Sequence, residues 1–491
     1  MSFKEDADFA RFLTMGVYGA WAIKNDLESR GHRIIELERF ALANKIWSIK
    51  VKRLRIPDLL CISCGRRFES KAKSKLEIRL SHSSADGREW FGGGMRKNDV
   101  FAFVRVSMTE LGPEIGRPLY LTRESLEEAT GTLKEGTRKA ISEGSETDVK
   151  WPAWVPSYSG TLIGWSQDDP MAVVVKTDAG VVRTYRGANS WPKAYLYLAP
   201  GESFEGGSTI VAGPVAPTDP VCPGETWDWS RDFWSSDRTE RYAAIKATRS
   251  KQAGELVATV EALLSQEDDW RVKLEAMALL ASYKPEPWLM EIFEMGANVE
   301  LPLEQQMEAV LVLSEIAHPQ TAAFLYNIAQ PSRRRHQEIR AAAAWGLGQG
   351  ASPDPSRLLY LAADTDDRVA LHAAAALPDD LPPDILATLL SWIKEGDERK
   401  AAIAATLLAR REHVPQLLEV ASGTGVGALF ALRALGDLPR RLVEARAGRR
   451  LTEDEVRLLN PIWIQQRDWL RRRENADAIE ILAYQRIRFK N

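Results

Sequence analysis

Asp58, Glu69 and Lys71 have the side-chain types that metal-assisted hydrolysis requires, and their spacing can bring them together. The segment RIPDLLCISCGRRFESKAKSK predicts a β-hairpin whose strands are Ile56–Ile62 and Arg67–Lys75. Side chains alternate between the two faces of a strand, so Glu69 and Lys71 share a face. Asp58 lies near the far end of the partner strand, where its carboxylate can approach that pair. Two carboxylates and a lysine placed in this way can hold a hard divalent cation and position a water molecule.

The same positions resemble the motif of the PD-(D/E)XK nuclease superfamily, matched here by Pro57-Asp58 and by Glu69-Ser70-Lys71. The resemblance is confined to the hairpin and implies a restriction-endonuclease-like α/β domain. It also implies a phosphodiester hydrolase that uses Mg²⁺ or Mn²⁺, with DNA as the expected substrate. In such an enzyme Asp58 and Glu69 are metal ligands, and Lys71 orients or helps to deprotonate the attacking water.

A further carboxylate and a purely structural interpretation both remain open. The resemblance implies that an upstream element can add a carboxylate, for which Glu36 and Glu38 are candidates. Asp58 can instead be a turn residue, since a proline followed by aspartate commonly begins a turn. Glu69 and Lys71 can instead belong to an exposed strand face, because the same alternation continues along the strand in charged residues.

The hairpin lies in a strongly basic part of a chain whose net charge is only −3. Between Arg33 and Arg79 there are 13 Lys or Arg residues and 5 Asp or Glu residues, a surplus of +8. Such a surplus attracts phosphate groups, whose neutralisation releases counterions. The alternative is a basic face that is simply solvated. The predicted nucleic-acid-binding residues are Lys50, Lys52, Arg53, Arg55, Arg66, Arg67, Lys73 and Lys75.

Cys61 and Cys64 form a Cys-x-x-Cys pair that looks like one half of a zinc knuckle. A structural zinc ion needs four protein ligands. The chain has three cysteines, so only Cys222 and scattered histidines such as His32 and His82 are left to complete a site. Cys61 and Cys64 remain candidate zinc ligands, but zinc is the less favoured interpretation, and the favoured one is two small, soft side chains in or beside the hairpin turn.

The elements expected around the hairpin follow the order helix, strands, hairpin, strand. Apolar residues at helical spacing predict a first helix that ends at Gly31, and His32–Arg39 can form a strand after it. A later strand is predicted at Val100–Ser107, and Arg123–Ser142 is predicted to be a surface helix interrupted by glycines. This order is the one that the nuclease resemblance implies for residues 1–148.

The pattern changes at residue 149. Short runs rich in Val, Tyr and Thr are separated by Gly, Asp and Pro, which predicts a small β-rich module, an antiparallel sheet or barrel, over residues 149–212. Residues 213–235 begin with a segment that contains four prolines, and we predict that they form a linker.

Residues 236–491 repeat themselves. Small residues at fixed helix positions let neighbouring helices stack closely, and a period of about 30 residues built from two helices indicates an α-solenoid. Asp367-Arg368-Val369 and the alanines after it resemble the short HEAT-like repeat of phycobilisome lyases. The segment from Leu451 departs from the repeat and is predicted to be a helical cap. The aligned alanines are Ala276, Ala309, Ala343, Ala373, Ala404 and Ala428.

The composition, 45% hydrophobic and 27% charged, is that of an ordinary globular protein. The N-terminal sequence has no apolar signal-peptide region, and no apolar run approaches the roughly 18 residues of a membrane-spanning helix. So few cysteines argue against a disulfide scaffold and favour a reducing compartment. We expect a cytoplasmic protein without a membrane partner.

The predicted fold class is multidomain α+β, with a restriction-endonuclease-like domain, a small β-rich module and a C-terminal all-α HEAT-like solenoid. The predicted function is a metal-dependent nuclease whose solenoid docks nucleic acid or a protein partner. Analogy of architecture places such a protein in bacterial defence or genome maintenance. The alternative is a non-catalytic HEAT-repeat scaffold that binds nucleic acid or protein and retains a degenerate nuclease fold.

Overall fold

The computed structural model describes residues 7–37, 49, 54, 56–83, 95–109, 112–135, 139–141, 144–251, 254–332, 334–349, 354–395, 397–438 and 440–464. These residues form two compact units. The α/β unit comprises the described residues of 12–42 and 53–279, and the helical unit comprises the described remainder. The finer domain limits after residues 148, 212 and 235 remain predictions.

Strands dominate the first half of the described chain. They are β1 Ile34–Glu36, β2 Leu59–Cys61, β3 Arg67–Lys73, β4 Ile78–Ser83, β5 Val100–Thr109, β6 Gly112–Ile115, β7 Leu119–Thr122, β8 Lys134–Glu135, β9 Lys139–Ile141, β10 Gly144–Trp151, β11 Gly160–Trp165, β12 Val173–Thr177, β13 Val182–Tyr185, β14 Tyr195–Leu196, β15 Ser203–Phe204 and β16 Ala212–Gly213.

Helices open the chain and fill its second half. They are α1 Ala7–Ser29, α2 Arg123–Glu128, α3 Arg238–Lys251, α4 Val257–Leu264, α5 Trp270–Tyr283, α6 Pro285–Ala297, α7 Leu303–Leu313, α8 Pro319–Ala329, α9 Gln337–Leu347, α10 Pro355–Ala362, α11 Asp367–Ala376, α12 Pro383–Glu395, α13 Glu398–Arg410, α14 Val414–Ala421, α15 Val426–Gly436 and α16 Arg440–Ala447.

The central sheet of the α/β unit has the strand order β1-β2-β3-β5-β6, with β7 also paired to β5. Neighbouring strands from β1 to β3 are antiparallel, whereas β3 and β5 are parallel. α1 ends at Ser29, two residues before the predicted stop at Gly31, whose φ of +86° suits a glycine. The predicted hairpin and later strand are present as β2, β3 and β5, with β2 shorter than expected.

The two faces of the central sheet carry separate cores. Phe68 on β3 and Ala102 on β5 belong to the core that includes the buried side chains of α1. The approach of α1 is close, because a Cβ atom at Gly19 would lie 2.6 Å from the Cβ of Ala72. Phe101 alternates to the opposite face, where the core extends to Trp151 on β10.

Three smaller sheets follow, of which the smallest pairs β14 with β16. β4 pairs with β10, which also pairs with β8 and β9. The prediction of a helix over Arg123–Ser142 is therefore wrong for the described residues beyond Glu128: α2 is followed by a short 3-10 helix, Thr130–Thr132, and then by β8 and β9. Leu126 of α2 is buried in the sheet core. The predicted β-rich module contains an antiparallel sheet of order β13-β12-β11-β15, whose core is a separate cluster.

The segment predicted to be a linker packs against the rest of the α/β unit. Val215 is buried in the core beneath β5 and β7, and Phe233 is also buried. Cys222 lies against the core on the α1 side. Prolines set the extended path of this segment, but its apolar side chains fix it in place.

The helical unit consists of consecutive helix pairs. Helices α7, α9, α11, α13 and α15 contact one another in succession, and each also packs against the helix before it. The aligned alanines lie on α5 and on these five helices, and all of them are buried. This confirms the repeat pattern and is consistent with a helical solenoid. The predicted cap lies mostly outside the described residues, although Trp463 Nε1 donates a hydrogen bond to the Leu438 carbonyl over 2.9 Å.

No described helix combines the length and the apolar character needed to cross a membrane.

Candidate functional site

The register of the β2–β3 hairpin places Asp58 opposite Glu69. Leu59 pairs with Phe68, so the next position outward brings Asp58, just before β2, opposite Glu69 on β3. Directly opposed residues in antiparallel strands project to the same side of the sheet. Lys71, two residues after Glu69, projects to that side as well. The predicted convergence of these three residues at the open end of the hairpin is therefore present in the backbone register.

Specific contacts orient the three side chains. Asp58 Oδ2 accepts a hydrogen bond from the Ser70 backbone N–H over 2.8 Å, which fixes this carboxylate beside β3. Lys71 Nζ lies 2.5 Å from Glu69 Oε1. The Glu69 and Lys71 side chains are 22% and 30% exposed, so a solvent-borne ligand can reach them.

The strand next to this open end carries apolar side chains. In the parallel pairing of β3 with β5, Glu69 is aligned with Phe101 and Lys71 with Phe103. Both phenylalanines are buried and their rings stack. Charges beside such a surface are screened less than in water, so their mutual attraction and their pull on a bound anion are stronger.

The proposed additional carboxylate is not brought to this face. Glu36 pairs with Leu59, and residues opposite Leu59 project to the side that carries α1. Glu38 lies outside the described residues. The open end of the hairpin is thus built from Asp58, Glu69 and Lys71.

The predicted nucleic-acid-binding residues have different environments. Arg67 is buried and paired with Asp99 over 2.5 Å, so its charge is neutralised inside the fold. Burial raises the pKa of Asp99, and the bonds from Arg67 oppose that increase. Arg66 donates to the Asp219 carbonyl, while Lys73 is half-buried and Lys75 is exposed. Lys50, Lys52, Arg53 and Arg55 lie outside the described residues.

The turn end of the hairpin gathers a second set of polar residues. The ligand atoms of His32, Cys61, Cys64 and Cys222 all lie within 4.8 Å of one another. His32 and Cys61 are buried, and Cys64 and Cys222 are half-buried. Within the described residues this is the one group of three or more His, Cys, Asp or Glu side chains with such spacing.

Two backbone connections bring this cluster together. β1 pairs Ile34 with Cys61, so His32, two residues earlier, lies beside the hairpin turn. The segment that was predicted to be a linker, residues 213–235, returns to the hairpin turn, where the Cys222 N–H donates to the Arg30 carbonyl over 3.1 Å. The hydrogen bond with Cys64 is the main cause of a lowered pKa for the Cys61 thiol. The same bond, together with burial, raises the pKa of Cys64.

Sequence reasoning named every member of this cluster but did not assemble it. The signal was the Cys-x-x-Cys-Gly run together with a single remaining cysteine, Cys222, and a histidine directly after the first helix. His82, the other histidine considered, lies on β4 opposite Thr147, in a different sheet. The zinc interpretation was disfavoured because a second cysteine pair is absent, whereas the fold brings His32 and Cys222 to the Cys61–Cys64 pair from distant segments.

No protein-family model matches this sequence, and a search of curated proteins found no significant match.

Proposed function

We propose that this protein is a metal-dependent phosphodiester hydrolase that acts on DNA at the open end of the β2–β3 hairpin. The observation that carries the proposal is the register that sets Asp58 opposite Glu69, with Lys71 on the same side of the sheet. Two carboxylates and a lysine on one partly exposed face are the groups that metal-assisted hydrolysis requires.

The order of elements supports the same proposal. A helix, α1, precedes three antiparallel strands, and the third of these, β3, pairs in parallel with β5. This is the order of helix, strands, hairpin and strand that the resemblance to the PD-(D/E)XK superfamily implies. Fold alone does not define an activity, so the proposal depends on the side chains at the open end.

The residues present fit a hard divalent cation. Carboxylate oxygens are the ligands that Mg²⁺ prefers, and Asp58 and Glu69 supply them from neighbouring strands. When bound, Mg²⁺ would polarise the scissile phosphate and lower the pKa of a bound water. The bond from the Ser70 N–H orients the Asp58 carboxylate without exhausting it, because a carboxylate accepts several partners.

Lys71 has the second role at this site. Its ammonium group lies beside Glu69, on a strand whose neighbour carries the buried Phe103, and there a negative phosphate oxygen is attracted strongly. Lys71 can hold the attacking water by a hydrogen bond and stabilise the charge that develops on phosphate. Lys73 and Lys75, further along the same strand segment, extend this positive surface toward the substrate backbone.

The helical unit is proposed to dock a partner, nucleic acid or protein. Its consecutive helices, which resemble HEAT-like repeats, offer an extended surface and no catalytic group of their own. Several of its arginines serve the fold: Arg340 pairs with Asp364, and Arg411 donates to the Leu377 and Pro378 carbonyls at the end of a neighbouring helix. The docking surface must therefore use other residues.

One observation favours a second candidate, a non-catalytic nucleic-acid-binding scaffold. The Lys71–Glu69 ion pair is short, and stabilisation of the sheet face can be its sole role. In that case the open end would bind phosphate groups without turnover, and binding would weaken steeply with salt.

The test is a cleavage assay with the full-length protein, Mg²⁺ and labelled single- and double-stranded DNA and RNA. We expect Mg²⁺-dependent cleavage of DNA that is lost in Asp58→Asn and in Lys71→Met. Asp178→Asn, in the exposed β12–β13 turn, and Lys97→Met, on the surface, are controls that should cleave normally. Cleavage that persists in both site variants would refute the assignment, and salt-sensitive binding without cleavage would favour the scaffold.

A further inference from the structure

The four polar side chains at the hairpin turn have the spacing of a tetrahedral metal site. Cys61 Sγ lies 3.9 Å from Cys222 Sγ, and Cys64 Sγ lies 3.7 Å from His32 Nδ1. With zinc–sulfur bonds of about 2.3 Å, the ligand atoms of a tetrahedral site are separated by about 3.8 Å. The remaining separations stay within 4.8 Å, so small side-chain rotations close the set around one ion.

His32 is oriented as a metal ligand should be. Its Nε2 lies 2.7 Å from the Pro220 carbonyl, and only a protonated Nε2 can donate there. A neutral imidazole protonated at Nε2 carries its lone pair on Nδ1, the atom that faces Cys64. The edge-to-face contact with Phe68, 5.2 Å between ring centres, holds the ring in this orientation. Metal-binding histidines usually donate their second ring nitrogen to a carbonyl or carboxylate in this way.

The turn that carries Cys61 and Cys64 is shaped around its sulfur atoms. The Gly65 N–H donates to the Cys61 carbonyl and the Cys61 N–H donates to the Arg66 carbonyl, both over 2.9 Å. This turn holds the Cys61 and Cys64 sulfur atoms beside the ligand atoms of His32 and Cys222.

The fourth ligand is fixed independently of any metal. The Cys222 N–H donates to the Arg30 carbonyl, and the N–H groups of Thr226 and Trp227 both donate to the Ser63 carbonyl. The Trp227 ring also packs directly over Gly65, where an added Cβ would lie only 2.6 Å from a ring carbon. The segment around Cys222 is therefore seated on the turn by its backbone and by one large side chain.

We infer that His32, Cys61, Cys64 and Cys222 bind one zinc ion. Three thiolates and an imidazole in tetrahedral spacing select zinc among the common metals. Four protein ligands leave no open position, so the ion is structural and fastens together segments 161 residues apart in the chain. A Cys61–Cys222 disulfide would need a sulfur separation of about 2.05 Å and would leave His32 and Cys64 without a role.

This inference does not rest on the proposed nuclease function, because its readouts need no cleavage. The full-length protein is purified in reductant without chelator from zinc-supplemented culture, and its metal content is measured by mass spectrometry. We expect one zinc per chain in the native protein and loss of that zinc in Cys222→Ser and in His32→Gln. His318→Gln, which changes a histidine at the start of α8, is the matched control and should keep its zinc.

A second measurement keeps the inference testable if these variants fail to fold. Cobalt(II) added to the reduced, metal-free native chain should give a thiolate-to-cobalt charge-transfer band and the intense visible bands of a tetrahedral site. Zinc should then displace the cobalt and abolish these bands, and it should protect all three thiols from alkylation. Iron in place of zinc, a Cys61–Cys222 disulfide in the reduced preparation, or native protein with no bound metal and no tetrahedral cobalt spectrum would overturn the inference.

Discussion

At its turn the β2–β3 hairpin gathers sulfur and imidazole groups in a largely buried cluster, whereas at its open end it presents carboxylates and a lysine on a partly exposed face. The turn cluster is closed by a segment from far along the chain, while the open end is approached from solvent. The distance between them is short, because Glu69 is three residues beyond the turn, about 10 Å along an extended strand.

On the two proposals, one hairpin carries two metal sites whose ligands prefer different ions. Soft thiolates select zinc, and hard carboxylates select Mg²⁺. A site with four protein ligands is suited to stabilising a fold, whereas an accessible site with few protein ligands leaves room for water and substrate. Each end can therefore be perturbed alone, and the effects should separate into stability and activity.

Removal of each metal should produce the largest and most distinct effects. Zinc-domain peptides gain about 10–16 kcal/mol from their ion, so a high-affinity zinc chelator should lower the unfolding midpoint of the α/β unit by about 10 °C or more. Dialysis into Mg²⁺-free buffer should abolish cleavage and leave that midpoint unchanged. Differential scanning calorimetry and the cleavage assay measure the two effects. Equal shifts of the midpoint on removal of either metal would contradict the separation.

Lys71→Met should lower the cleavage rate by about 10²–10⁴-fold, the usual contribution of a general acid–base group. The methionine keeps an unbranched side chain of similar length but removes the charge and the hydrogen-bond donors. Zinc content should be unchanged, because the substitution lies at the other end of the hairpin. Single-turnover kinetics measure the loss, with Lys97→Met as the control. A rate within twofold of the native protein would remove Lys71 from the mechanism.

Arg67→Met should destabilise the α/β unit by about 3–5 kcal/mol, because it leaves the buried carboxylate of Asp99 without its main partner. Arg66→Met, one residue earlier, removes a hydrogen bond to a carbonyl and should cost only about 1 kcal/mol. Urea denaturation monitored by tryptophan fluorescence compares the two. Similar costs for both would show that the buried pair does not stabilise the hairpin.

Gly65→Ala should cost about 1–3 kcal/mol from its left-handed backbone, with φ of +71°, plus the displacement of the Trp227 ring. Gly180→Ala is a matched control, since its φ is +80° and no neighbouring atom lies within 4 Å of an added Cβ. The difference between the two variants in urea denaturation isolates the ring contact that seats the Cys222 segment. A Gly65→Ala cost no larger than that of Gly180→Ala would show that this contact is weak.

Local signals in the sequence predicted the hairpin, the first helix and the repeat helices. Alternating side chains identified β3, because a strand has a period of two residues. Recurring alanines identified every second helix from α5 to α15, because one such alanine falls in each helix pair. The wrong helix prediction at Arg123–Ser142 also came from relying on local signals. Its charged residues favour a helix locally, but the chain after α2 pairs with β10, a tertiary contact that helical propensity does not include.

The two candidate sites also differ in how far their assembly depends on local sequence. Asp58, Glu69 and Lys71 lie within one hairpin, so the register of two adjacent strands was enough to bring them together. The turn cluster needs Cys222, which returns to the hairpin only after the chain has built three further sheets. That proximity depends on the whole fold of the α/β unit, and a Cys-x-x-Cys pair alone could not specify it.

The central claim is that the open end of the hairpin cleaves DNA, whereas the turn end binds a zinc ion that stabilises the fold. Its most direct test measures Mg²⁺-dependent cleavage and zinc content in the same samples of native protein and Asp58→Asn. We predict cleavage in the native protein, none in the variant, and one zinc per chain in both. Equal cleavage in the two samples, or a zinc-loaded native protein that cleaves no nucleic acid, would contradict the account.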